Sequence, residues 1–194
     1  MEYMTMGTTL RHMKILDWFS GFAIKKYEKE PSFWYGREQI ALIENHGALI
    51  DVSQLSDEQR QTVRRLMGKA RYTYPDFMIF KNNPVIVNDK ETRYAGIPDL
   101  IIEVWSPNNT DEEKAQKRKL YCTNKSEFWE FEQDSVKVVC WGKGVNKYEQ
   151  FMDKPLVTPW GETFDLVELS HDVIDILPND RFGGGPDIGE DFDL

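Results

Sequence analysis

Apolar residues near the start of the chain recur every three or four positions. Leu10, Met13, Leu16, Phe19 and Ala23 form one stripe, with Trp18 and Phe22 beside it. Helical geometry brings such positions onto one face, so the spacing predicts an opening helix over about 9–29, ended by the breaker Pro31. A second helix is predicted from about 57 to 70. Ser56 and Gln59 have the form of a capping box, and Val63, Leu66, Met67 and Ala70 then fall at helical spacing.

Two segments have the opposite character, short and rich in β-branched or aromatic residues. YTYPDFMIF (72–80) and IPDLIIEVW (97–105) each carry a Pro near the start that disfavours helix in the residue before it, and both read as strands. Turn residues and a short strand at Val85–Val87 lie between them. After the second strand, Pro107-Asn108-Asn109 makes a turn, and Thr110 with Glu113 forms another capping box, opening a helix through about Tyr121. FWEF (128–131), VKVVCW (136–141) and YEQFM (148–152) then predict an antiparallel meander, followed by one more amphipathic piece around Leu166 to Ile176. Residues 38–52 admit two readings, a helix ending at Gly47 or a turn between strands. The order of elements predicts a mixed α/β fold, a central mixed sheet flanked by helices.

The chain has 194 residues, 40% of them hydrophobic, enough for one domain with a full core. That domain is expected over 1–178. Residues 179–194, with three consecutive glycines, Pro186 and a run of acids, predict a flexible acidic tail. No stretch approaches the ~20 apolar residues that cross a bilayer, and no export signal is visible. Only Cys122 and Cys140 occur, without CxxC spacing, so reduced thiols in a cytoplasmic protein are expected. The net charge of −9 opposes general attraction to phosphate, but Arg60, Arg64, Arg65, Lys69 and Arg71, and then Lys114, Lys117, Arg118 and Lys119, leave room for a local basic face.

The candidate chemistry lies in the two central strands. Along 99–105 the side chains alternate, so Asp99, Ile101 and Glu103 share one face while Leu100, Ile102 and Val104 share the other. A carboxylate in so apolar a strand is costly to bury without a cation, a hydrogen-bond network or a metal. Asp99 and Glu103 are roughly 13 Å apart along a regular strand, too far to share an ion. If 75–80 instead pairs antiparallel with 99–105 about a turn near 89–90, Asp76 falls opposite Glu103, with Cβ atoms about 5 Å apart. Paired carboxylate oxygens suit Mg²⁺ or Mn²⁺. Lys117, with Lys114 and Tyr121 on the same side of the following helix, can reach over these acids. His12, His46 and His171 show no ligand spacing, and there is no phosphate-binding glycine loop or GxSxG elbow.

The run IPDLIIEVWSPNNT, then KAQKRKLY, then EFWEF, with YPDF upstream, resembles the Uma-type restriction endonuclease family of the PD-(D/E)XK superfamily. The likeness covers about 72–132 well and 155–176 loosely. It implies a restriction-endonuclease-like fold and a metal-dependent endonuclease acting on DNA with Mg²⁺ or Mn²⁺. By that likeness Asp76 corresponds to the PD aspartate, Glu103 to the acid of the next strand, and Lys117 to a lysine moved from the strand onto the helix. Asp99 would be a further catalytic or second-ion acid. Trp105 stands where the strand lysine of the ExK pattern would be. Homodimers are common among such nucleases. The alternative is a catalytically silent domain of the same fold that binds nucleic acid or a protein partner, favoured by the acidic balance and by Trp105.

Overall fold

The computed structural model describes residues 10–167, apart from 31, 39, 67–70, 82–83, 88–91, 124, 133–134, 144–145 and 159. Helix α1 (Leu10–Tyr27) buries His12, Ile15, Leu16, Phe19 and Ala23. Met13, expected on that stripe, is exposed. At about 100° per residue it stands well round the helix from the line through His12, Leu16, Phe19 and Ala23, and Ile15 takes its place. The first strands are β1 (Trp34–Arg37), β2 (Ala41–Asn45) and β3 (Ala48–Leu49). The open segment 38–52 is therefore a turn between strands. His46 and Gly47 both adopt positive φ, 52° and 80°, as a tight two-residue hairpin requires.

Helix α2 (Asp57–Leu66) starts at the Ser56–Gln59 capping box; the Gln59 N–H donates to Ser56 Oγ and the Ser56 N–H to Gln59 Oε1. The rest of the expected helix, including Met67 and Ala70, lies outside the described residues. The single strand expected over 72–80 is two: β4 (Arg71–Thr73) and β5 (Phe77–Phe80). Pro75 offers no N–H and biases Tyr74 away from helix. The chain uses this break to leave one sheet and enter another.

The remaining elements are β6 (Val85–Ile86), β7 (Arg93–Ala95), β8 (Leu100–Trp105), α3 (Asp111–Tyr121), β9 (Glu127–Glu132), β10 (Lys137–Gly142), β11 (Asn146–Phe151), β12 (Leu156–Val157) and β13 (Thr163–Phe164). A six-stranded mixed sheet runs β1-β5-β8-β9-β10-β11, and a second sheet runs β3-β2-β7-β6 with β4 also on β2. The expected meander is β9-β10-β11. The β8–β9 pair is parallel, so α3 is its crossover, and the Thr110–Glu113 capping box opens that helix. The turn near 89–90, most of the piece 166–176 and the tail 179–194 lie outside the described residues.

The central strands of the six-stranded sheet, β5, β8 and β9, are buried on both faces, while β11 at the edge is largely exposed. Leu100, Ile102 and Val104 of β8 pack with Phe77, Trp129 and Phe131 against α1, where Phe19 meets Phe77 and Phe131 at 5.7 Å between ring centroids. Met78, Ile101, Trp105 and Phe128 pack on the other side against Leu42 and Tyr94 of the second sheet and Leu120 and Tyr121 of α3. Glu103 belongs to this second face. The ends of β5 and β8 thus meet α3, β4 and the start of α1.

Candidate active site

Phe77 pairs with Ile102 and Met78 with Ile101. One further step of that register sets Asp76 across from Glu103, as the sequence pattern predicted. Asp76 Oδ2 accepts the Val104 N–H at 2.7 Å, which ties the aspartate to β8. Its Oδ1 faces His12 Nε2 at 3.8 Å.

Glu103 is 1% exposed. Its Oε2 accepts a hydrogen bond from Lys117 Nζ at 2.6 Å, while Oε1 is buried without a hydrogen-bond partner among the described residues. Burial, and then the charge of Asp76, push the Glu103 carboxyl well above the usual carboxylate range, against the pull of Lys117. An acid held so far from water beside a second acid is a group that a cation would stabilise. Tyr121 lies close by, its hydroxyl 2.6 Å from Thr73 Oγ1. Burial and the nearby carboxylates raise its phenol well above the ordinary value, so it remains protonated.

Lys117 reaches Glu103 across the face of Trp105, with Nζ 5.6 Å from the ring centroid. The indole fills the strand position two residues beyond Glu103, and its Nε1–H donates to Glu130 Oε1 at 2.8 Å. Glu130, alongside Glu103 in the parallel register, also accepts from Arg118 Nε at 2.8 Å and from Trp141 Nε1. Lys114 Nζ meets Glu132 at 3.0 Å. Two ion pairs, one turn apart on α3, therefore fasten the helix to β9 and set the direction in which Lys117 points.

The structure adds two residues to this site. His12 Nε2 lies 3.4 Å from Glu38 Oε1, and His12, Glu38 and Asp76 offer ligand atoms all within 4.8 Å of one another. No sequence spacing joins them, because α1, the end of β1 and the start of β5 meet only through tertiary packing. The one signal was a histidine in register with the buried stripe of α1. Asp99 is not brought to this site. It sits at the opposite end of β8, where Oδ2 accepts the Lys81 N–H at 2.8 Å and Oδ1 lies 3.8 Å from Lys143 Nζ. There it lines a separate cavity of about 570 Å³ with Arg60 and Lys125. Cys122 and Cys140 are free, and burial raises both thiols to about 12, which keeps them unreactive. His46 is in the β2–β3 turn; His171 lies outside the described residues.

Comparison with known proteins bears on this arrangement. The family model described as "Uma2: Putative restriction endonuclease" matches residues 31–159, which include Asp76, Glu103 and Lys117 and leave out α1. A crystal structure of a putative nuclease belonging to DUF820 from Anabaena variabilis is similar over 82% of each chain, with 16% identity and a TM-score of 0.51. At that identity the likeness is one of fold. No curated protein matches the chain. Among the described residues no helix is long and apolar enough to cross a membrane.

Proposed function

The chain belongs to the family described as "Uma2: Putative restriction endonuclease", and from that membership we propose that it is a metal-dependent nuclease that hydrolyses phosphodiester bonds in DNA. The observation that carries this reading is the meeting of three groups from separate elements. Asp76 and Glu103 face each other across β5 and β8, and Lys117 of α3 lies on the Glu103 carboxylate.

The donor set fits Mg²⁺ or Mn²⁺. Carboxylate oxygens with water and substrate phosphate are the shell these ions prefer, and the buried Glu103 Oε1 and the Asp76 Oδ1 are the atoms left to supply it. His12 and Glu38, whose ligand atoms lie within 4.8 Å of those of Asp76, would be further ligands. A bound ion would polarise the phosphate and lower the pKa of its water. Asp76 keeps one oxygen on the Val104 N–H and turns the other to the site, so its orientation is fixed before any ligand arrives. Lys117 brings an ammonium onto the Glu103 carboxylate, from where it would orient water or meet charge developing on the phosphate oxygens. Trp105 in the strand thus leaves the lysine's role available to the helix.

The test is cleavage of supercoiled plasmid and of single-stranded DNA by the purified protein in Mn²⁺, Mg²⁺ or EDTA, beside Asp76→Ala and Glu103→Ala. Cutting that needs the ion and disappears in both variants is expected. A wild type that neither cuts nor binds Mn²⁺ would instead be a silent domain of the nuclease fold.

A further inference from the structure

The six-stranded sheet ends at β11, and no described strand lies beyond it. Its register with β10 fixes which main-chain groups face outward. In an antiparallel pair, opposed residues that exchange hydrogen bonds alternate with opposed residues that do not. The Met152 N–H donates to the Val136 carbonyl at 2.8 Å, one step on from the pairing of Phe151 with Lys137. Tyr148 and Gln150, in step with Met152, therefore turn their main-chain groups toward β10, whereas Lys147, Glu149 and Phe151 turn theirs away from the sheet. Among the described residues, no hydrogen bond uses the N–H or C=O of Lys147 or Glu149.

An open edge of this kind is a template for another strand. β11 is six residues long, NKYEQF, with neither a proline nor a break in its register to close it off. Three exposed large apolar side chains, Tyr148, Phe151 and Val157, stand along it, and Val157 is held there by its N–H to Gln150 Oε1 at 2.8 Å. The edge is also fixed in place. The Tyr148 hydroxyl donates to Glu127 Oε1, and Lys137 Nζ lies 2.5 Å from Glu149 Oε1.

Charge selects the occupant. Two copies of β11 meeting antiparallel about a two-fold axis exchange hydrogen bonds only between the outward residues 147, 149 and 151. One register that obeys this sets Lys147 against the partner's Lys147 and another sets Glu149 against the partner's Glu149, and like charges directly opposed are destabilising. The register between them sets Lys147 of each copy opposite the partner's Glu149, with Tyr148 opposite the partner's Tyr148. The strand is thus its own complement in one register and repels itself in the two beside it.

We infer that β11 is a docking surface for a second copy of this chain, paired antiparallel with Lys147 opposite the partner's Glu149, so that two six-stranded sheets join into one. The acid pair lies three strands away, across β8 and β5, and the inference stands apart from the proposed cutting. An interface of one strand is small, so the dimer forms and dissociates with protein concentration.

The test is sedimentation velocity at rising concentrations of the full chain, for the wild type, Lys147→Glu, Glu149→Lys, an equimolar mixture of these two variants, and the double exchange Lys147→Glu with Glu149→Lys. The wild type is expected to pass from monomer to dimer. Each single variant opposes like charges at both pairs and should weaken the dimer at least tenfold. The mixture should recover it, because a strand with two acids meets a strand with two lysines, and the double exchange should match the wild type. Recovery in the mixture also shows that both single variants are folded. A wild type that stays monomeric overturns the inference, as it would if another part of the chain covered this edge. So does a single variant that dimerises as well as the wild type, or a mixture that remains monomeric.

Discussion

Lys117 of α3 places its ammonium nitrogen 2.6 Å from Glu103 Oε2 of β8, over an indole that fills the strand position where an ExK lysine would stand. If that ammonium acts on the reacting phosphate, its loss should affect turnover rather than ion binding. Lys117→Met is expected to cut DNA about 10²–10³-fold more slowly, the range for removing one group that stabilises developing charge. Its Mn²⁺ affinity, measured calorimetrically, should equal or exceed that of the wild type, because a neighbouring positive charge has gone. A variant that cuts normally would show the contact to be structural only.

The raised carboxyl of Glu103 makes a prediction about pH. Folded Glu103 holds its proton more tightly than the unfolded chain does, so in the absence of metal the native state binds more protons and stability falls as pH rises above the ordinary glutamate value. Glu103→Gln removes the buried charge and should flatten that decline, melting higher than the wild type at neutral pH without metal. A gain of about 1 kcal/mol would show as about 2–4 °C in a chain of this size. Mn²⁺ should reverse the order, raising the melting temperature of the wild type and leaving Glu103→Gln unchanged. Since the ion must displace that proton, wild-type Mn²⁺ affinity should also rise with pH.

The parts of this site that were legible in the sequence are those set by local geometry. Strand alternation and a turn of the right length between two Pro-Asp strands were enough to bring Asp76 opposite Glu103, and a capping box placed Lys117 on the helix after them. The rise along the strand set Asp99 roughly 13 Å from Glu103, yet Asp99 was still expected as a further catalytic or second-ion acid; what no local pattern supplied was its actual partner, the Lys81 N–H at the other end of β8. The division of 72–80 at Tyr74-Pro75 was hidden because a proline near a strand start reads equally as an edge or a break, and only the second sheet decides between them. His12 and Glu38 were invisible for a stronger reason. Their meeting depends on how α1 crosses the sheet, and no local pattern encodes that.

That crossing leads to a test of His12. An imidazole beside Asp76 adds a nitrogen ligand to an oxygen site, and Mg²⁺ takes oxygen ligands with near-ideal octahedral geometry. His12→Ala is therefore expected to weaken Mn²⁺ about tenfold, or about 1.4 kcal/mol, and to weaken Mg²⁺ less. Isothermal titration with each ion reads both numbers. An equal loss for the two ions would mean that His12 only packs α1 against the site, and no loss for either would remove it from the ligand set.

Glu130 stands beside Glu103 in the β8–β9 register, but its carboxylate gathers Trp105, Arg118 and Trp141, and so decides where α3 presents Lys117. This is a positioning role, and it differs from a merely structural one in its coupling. Glu130→Gln keeps the shape but weakens the hold on Arg118, and cutting is expected to fall about tenfold. If the whole effect passes through Lys117, the same change in a Lys117→Met background should cost almost nothing, a coupling of about 1.4 kcal/mol in a double-mutant cycle. Glu132→Gln, which loosens the Lys114 pair one turn away, should show a weaker form of the same coupling, because the two ion pairs brace one helix. A residue that simply stabilised the sheet would lower cutting by the same factor with or without Lys117, and that additive result would separate Glu130 from the site.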